Sequence, residues 1–269
     1  SSYIPAQCSA VRSASHRTLA MAVHFAAQHY TKSSAGAHEE DIVELIRAAV
    51  LAQLGKDADE IEVSMLAENN ADQFHVGGLG ATEHLLKKLE IKDGDCVMDF
   101  GCGLGGPMRQ AAVLWPNSSI LGVDVTSKFV TAGRAINGWR TIARQLGSRV
   151  RLLQGDCTRL DPSEFLGGSV DKAFSIHVGM NIEDKAAFAK EVSRVLKPGG
   201  RVGIFDQMTN PRPPTGWLAV CGTCVGDGKL NAERDMNEEL PYPLPWAYTK
   251  EESFCARPDE YVAAFEAAG

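Results

Sequence analysis

Val97-Met-Asp-Phe-Gly-Cys-Gly-Leu-Gly-Gly106 is the stretch on which the reading of this chain turns. Apolar residues run into an acid, then into a glycine-dense turn, then into the helix-forming run 107–114. That order predicts a strand, a tight turn and a helix, the opening βα unit of a nucleotide-binding α/β domain. Gly101, Gly103 and Gly106 fit G-x-G-x-x-G, a pattern shared by dehydrogenases and methyltransferases. Asp99 discriminates between them. A carboxylate two residues before the first glycine repels the pyrophosphate of a dinucleotide and favours a ligand carrying positive charge, such as the ammonium and sulfonium of S-adenosylmethionine. No Gly-Lys-Ser/Thr follows, so the turn is not an NTPase phosphate loop.

Outward from that turn, strands are expected at 96–100, 120–123, 150–154, 170–176 and 201–205. Helices are expected at 39–54, 81–89, 107–114, 128–146, 185–196 and 258–268. Pro198-Gly-Gly200 reads as the stop of the fifth of these helices. Strands alternating with helices predict an α/β fold: a doubly wound, mostly parallel Rossmann-like sheet with helices on both faces. Residues 1–67 read as an N-terminal helical extension and 68–269 as the main domain, with a proline- and glycine-bearing lid over about 207–253.

At 269 residues and 44% hydrophobic, the chain has ample material for one such core. A net charge of −7 argues against nucleic acid, whose binding rests on Lys and Arg. No apolar run reaches transmembrane length. Seven scattered cysteines imply reduced thiols and a cytoplasmic setting, and Cys221-Gly-Thr-Cys224 lacks the second pair a zinc site requires. Residues 1–38 contain Arg12, Arg17 and Lys32 and no acid, which makes an organelle transit segment the alternative.

Ligands of such a sheet sit at the carboxyl ends of its strands. Those ends carry Asp99, Asp124, Asp156, His177 and Asp206 in order. Each acid alone reads equally as a turn or cap residue; together they read as a site. Asp124 stands where an acid binds ribose hydroxyls, with Val125 beside it, and Asp156 where an adenine amine is in reach.

Asp99-Phe-Gly-Cys-Gly103, Asp124, Gly155-Asp156-Cys157 and Arg194-Val-Leu-Lys-Pro-Gly-Gly200 together resemble a class I S-adenosylmethionine-dependent methyltransferase over roughly residues 68–269. Asp72-Gln-Phe-His-Val-Gly-Gly78, His177-Val-Gly-Met-Asn-Ile182 and Leu240-Pro-Tyr-Pro-Leu-Pro-Trp246 resemble, more narrowly, the sarcosine/dimethylglycine N-methyltransferase type of small-molecule enzymes. The resemblance implies that Gln73, Asp99, Gly101, Gly103, Asp124, Val125, Asp156, Cys157 and His177 contact the cofactor. It also implies that His75, Asn181 and Trp246 line the acceptor, with His177 as the candidate catalytic group and no metal. A histidine of ordinary pKa near 6.5 suits a general base, though an amine acceptor already carries its lone pair. The implied partners are a small-molecule acceptor, most readily an amine such as a glycine derivative, and a second copy in a homodimer. S-, O- or C-methylation, an NAD-dependent oxidoreductase and a non-catalytic cofactor-binding protein remain open. The region 217–237 looks longer than the family's usual loop. The family's sheet continues into two more strands after the last helix, whereas the sequence ends at Gly269. The edge of the fifth strand is then expected to be met by further chain or by a partner.

Overall fold

In a computed structural model of the chain, the described residues are 54–73, 75–208 and 253–269, with 44, 47, 48, 51 and 52. All of the expected lid but its ends at 207, 208 and 253 therefore lies outside them, including Trp246 and Cys221–Cys224, as does almost all of 1–53. Five strands form one sheet: β1 (Cys96–Phe100), β2 (Ser119–Asp124), β3 (Val150–Gln154), β4 (Val170–Ile176) and β5 (Leu196–Phe205). All pairings are parallel and the order is β3-β2-β1-β4-β5. The order reverses between β1 and β4, and the crevice outside that switch point is where such a sheet binds ligand.

Among the described residues, seven α-helices are bounded: α1 (Val63–Glu68), α2 (Gly78–Lys88), α3 (Gly106–Leu114), α4 (Ser127–Asn137), α5 (Arg140–Leu146), α6 (Lys185–Val195) and α7 (Pro258–Ala268). The period of two along each strand sorts their side chains between two cores. Val97, Ile120, Leu152, Phe174 and Phe205 join Leu66, Leu86, Met108, Ile136 and Ile142. Met98, Phe100, Val123 and Ala173 join Phe188, Val192, Tyr261 and Phe265. The sheet is thus the middle of three layers, with α1–α5 on one face and α6 and α7 on the other. Both faces are covered, as a parallel sheet requires.

Three details depart from the sequence expectation. The run 128–146 is two helices, because Trp139 takes an extended backbone (φ −62°, ψ 134°) and buries its ring in the first core. Pro198-Gly-Gly200 does not separate α6 from β5. The strand starts at Leu196 opposite Val170, loses register over 197–200, and resumes at Arg201 opposite Lys172 of β4. A proline without an N–H is tolerated at such an irregularity in an outer strand. The core also reaches back beyond residue 68, since Ile61, Val63 and Leu66 are almost wholly buried in it. Among the described residues, no helix is long and apolar enough to cross a membrane.

Candidate functional site

The glycine turn after β1 is pinned to the end of β2. The N–H groups of Gly101 and Cys102 both donate to the Val123 carbonyl, at 2.7 and 2.9 Å. Gly101, Gly103 and Gly105 have φ of +76°, +51° and +83°, a region L side chains avoid. They differ in surroundings: a Cβ at Gly101 would overlap the Val178 side chain, whereas a Cβ at Gly103 would meet nothing within 4 Å. The turn is therefore packed from behind and open in front.

Two carboxylates share this turn, and the alternation of β1 and β2 puts both on the α3 side of the sheet. Asp124 accepts from Gly103 N at 2.9 Å and from Thr126 N at 2.8 Å. Burial holds its carboxyl above the usual carboxylate range, against the pull of those N–H groups. Asp99 is 2% exposed, and its Oδ2 has no hydrogen-bond partner. Burial, then the charge of Asp124, pushes its pKa well up. A buried polar atom without a partner is uncommon, because it forfeits about 1–3 kcal/mol of hydration. A cationic group from a ligand relieves both conditions; a phosphate worsens them. The residues present thus fit the positively charged end of S-adenosylmethionine. Cys102 and Cys157 are buried beside the turn, and burial raises both thiols, so they stay protonated and act as small apolar groups.

The segment before α2 supplies the other wall. Asp72 and Gln73 are buried. Gln73 Nε2 donates to Asp72 Oδ1 at 3.1 Å, and Thr82 Oγ1 of α2 donates to Gln73 Oε1 at 2.7 Å. His75 Nε2 lies 3.0 Å from Thr82 Oγ1, and its Nδ1 lies 3.2 Å from the Val76 carbonyl. Burial lowers the His75 pKa to about 4, so the ring is neutral near pH 7. His177 follows β4 with φ +56°, one of three non-glycine residues with positive φ among those described. The unusual backbone turns its ring toward the α2 side, with centroids 6.1 Å from His75 and 5.2 Å from Phe205. The two histidines, from segments far apart in sequence, thus face one another at the switch point.

The remaining candidates are placed as follows. Val125 is 66% exposed, an apolar side chain in the open beside Asp124. Asp156 is exposed and accepts from Thr158 N and Oγ1 at 2.8 and 2.6 Å, bonds that lower its pKa. Asn181 is exposed on the single 3-10 turn Gly179–Asn181.

Asp206 does not join Asp99 and Asp124. It follows Phe205 by one residue and points into the opposite layer. There it accepts from Tyr261 Oη of α7 at 2.6 Å, Gln207 N at 2.8 Å and Met180 N at 3.0 Å. Burial raises its pKa to about 6 despite those donors and the nearby Lys185. A folded-state pKa above the unfolded value near 3.9 contributes stability that is full below pH 4 and lost as pH rises through 6. The denaturant midpoint of wild type, taken relative to Asp206→Asn, is therefore expected to fall between pH 4 and pH 7. Parallel profiles for the two proteins would mean that Asp206 does not titrate in that window.

Sequence reading missed Arg109. It is the largest fully buried side chain among the described residues, and its Nε pairs with Asp72 Oδ2 at 3.0 Å. Its other nitrogens donate to the Leu104 carbonyl in the glycine turn at 2.6 Å and to Asn137 Oδ1 at 2.7 Å. The available signal was a lone arginine in a helix whose other residues are nearly all small or apolar.

Residues 98–204, from β1 through nearly all of β5, match a family described as "Methyltransferase domain". A demethylmenaquinone methyltransferase of Lactobacillus johnsonii is 32% identical over 142 residues, 51% of this chain and 55% of that one. Phosphoethanolamine N-methyltransferase 1 of Triticum aestivum is 32% identical over 139 residues, 52% of this chain and 26% of that one. The chain thus spans about half, or a quarter, of the length of these relatives. A solved structure described as a putative sarcosine dimethylglycine methyltransferase from Galdieria sulphuraria is 21% identical, with a TM-score of 0.42. The match covers 49% of this chain and 50% of that one.

Proposed function

We propose that this class I S-adenosylmethionine-dependent methyltransferase domain methylates a small molecule, with an amine such as a glycine derivative as the acceptor. The observation that carries the reading is the buried, unpartnered Oδ2 of Asp99 beside the open face of Gly103. Bound S-adenosylmethionine supplies a methyl group made electrophilic by a sulfonium. Asp99 and the turn Gly101–Gly103 hold the methionine end. Asp124 holds the ribose: each of its oxygens already takes one N–H, and a carboxylate has about four acceptor sites in all. Val125, Asp156 and Cys157 flank the adenine. Gln73, His75, His177 and Asn181 line the acceptor side, where orientation and exclusion of water supply most of the rate. His177 contacts the acceptor and is the candidate base for acceptors that must lose a proton.

The amine is supported by the N-methyltransferase among the relatives. The demethylmenaquinone methyltransferase supports a second reading, an acceptor of quinone type. Incubation with S-adenosylmethionine and a panel of small amines, thioethers, hydroxy acids and quinols, read as S-adenosylhomocysteine formed, separates them. Turnover with the quinols alone would overturn the amine. NAD binding without S-adenosylmethionine binding would overturn the whole reading. We place the enzyme in the cytoplasm as a homodimer; the acid-free residues 1–38 support organelle import as the alternative.

Asp99 gives this reading a pH signature. Its raised pKa keeps it protonated to higher pH in the free protein, and a ligand ammonium favours the carboxylate. Cofactor binding is therefore expected to release a proton and to tighten as pH rises. Calorimetry of S-adenosylhomocysteine in two buffers of different ionisation enthalpy measures this directly. Equal apparent enthalpies in both buffers would show that Asp99 does not change state.

A further inference from the structure

We infer that Asp72 and Arg109 are a positioning pair that ties His75 to the glycine turn, so that cofactor affinity and the setting of the acceptor-side histidine are coupled. The inference rests on the cofactor site proposed above. A buried ion pair is a poor source of stability, because desolvating two charges offsets most of their attraction. Its better-attested use is to fix one arrangement among several. Here the arrangement is specific. Arg109 presents a planar fork with donors in fixed directions, which a lysine does not. One arm takes the Leu104 carbonyl between Gly103 and Gly105, one takes Asn137 at the end of α4, and Nε takes Asp72.

Asp72 passes the constraint on. Its second oxygen accepts from Gln73 Nε2, Gln73 Oε1 accepts from Thr82, and Thr82 Oγ1 lies 3.0 Å from His75 Nε2. The backbone is clamped at the same place. A Cβ at Gly106, the first residue of α3, would overlap the Asp72 carbonyl oxygen and lie 2.7 Å from Gln73 Nε2. The segment carrying His75 therefore cannot shift without disturbing α3 and the turn from which α3 starts. With Nδ1 directed at the Val76 carbonyl, the neutral ring carries its proton on Nδ1, and the one hydroxyl hydrogen of Thr82 lies between two acceptors, Gln73 Oε1 at 2.7 Å and His75 Nε2 at 3.0 Å. In a site where reaction depends on sub-ångström orientation, a wall of the acceptor pocket hung from the cofactor turn keeps donor and acceptor in one register.

The test follows two signals at once in the full chain: S-adenosylhomocysteine affinity by calorimetry, and the His75 ring titration by NMR, with Asp72 and His177 its facing ionisable neighbours. Arg109→Lys keeps the charge and loses the fork. The double variant Asp72→Asn/Arg109→Gln leaves no buried charge unpaired, and so keeps the test available if Arg109→Lys fails to fold. Each is expected to raise the S-adenosylhomocysteine Kd about tenfold, close to one lost hydrogen bond. Arg109→Lys is also expected to move the His75 midpoint from about 4 toward its ordinary 6.5 as the loosened ring gains water, and the double variant to move it less far, because it also removes the Asp72 charge that raises it. Thr82→Val cuts the chain beyond Gln73 and leaves the Arg109–Asp72–Gln73 links in place, so it should move that midpoint while Kd stays within twofold. Folded pair variants with both signals at wild-type values would overturn the coupling and leave the pair purely structural. Absence of S-adenosylhomocysteine binding to wild type would overturn the cofactor reading instead; the His75 midpoint still reports on whether the pair positions that ring.

Discussion

Replacing Asp124 by alanine is expected to weaken S-adenosylhomocysteine binding by about 1.5–3 kcal/mol, roughly 10- to 150-fold. Two losses combine. The ribose hydroxyls lose a charge-assisted acceptor, the stronger kind of hydrogen bond. The Gly103 and Thr126 N–H groups lose the oxygens that organise the turn before any ligand arrives. Asp124→Asn separates the two, since an amide oxygen still accepts from one N–H but carries no charge. Calorimetric titration of the three proteins, with near-ultraviolet circular dichroism to confirm folding, gives the comparison. Wild-type affinity in Asp124→Ala would remove Asp124 from the ribose site.

Arg109→Met is expected to destabilise the fold by about 3–5 kcal/mol, the usual consequence of stranding one member of a buried ion pair. The stranded group is Asp72, 3% exposed, with only Gln73 Nε2 left to serve it. The Leu104 carbonyl and Asn137 lose their donors in the same substitution. Asp72→Asn/Arg109→Met should recover much of the loss, because no charge is then left in the interior. Urea unfolding at one pH measures both. A single variant within 1 kcal/mol of wild type, on the order of an ordinary surface substitution, would mean that water reaches Asp72.

The sheet was legible because its strands are short apolar runs ending in acids and glycines, signals that lie within a few adjacent residues. Asp99 and Asp124 were legible for the same reason: each sits at a strand end, and strand ends share a place in this architecture. The face was harder to read. Asp206 ends its strand just as Asp124 does, yet it lies one residue past Phe205, whose ring fills the α2-side core, and so drops into the opposite layer against Tyr261. Strand parity decides this, and parity depends on register, which the irregularity over 197–200 resets. Arg109 was illegible on its own. A single arginine in a helix ordinarily reads as the solvent face, and only the approach of Asp72, 37 residues earlier, neutralises it inside. His177 was named from its position, but the left-handed backbone that aims it toward His75 has no signature in composition or spacing.

The strand order also divides the site by the time at which its parts can form. Gly103 and Asp124 are only 21 residues apart and join through the neighbouring β1–β2 pair. The connection from β3, at the edge, crosses back past β2 and β1 to set β4 on the far side of β1, a closure that the bond from Cys96 N to Asp171, 75 residues away, makes explicit. Small loops close at less entropic cost than large ones, and non-local pairings form later. During refolding, or as the chain leaves the ribosome, the glycine turn and Asp124, the end of the crevice proposed for the nucleoside, are therefore expected to assemble from a nearly contiguous stretch. The proposed acceptor end waits for His177 to arrive with β4. On that order, a newly made chain gains its proposed grip on the nucleoside before it has a second wall to bring a reactant against.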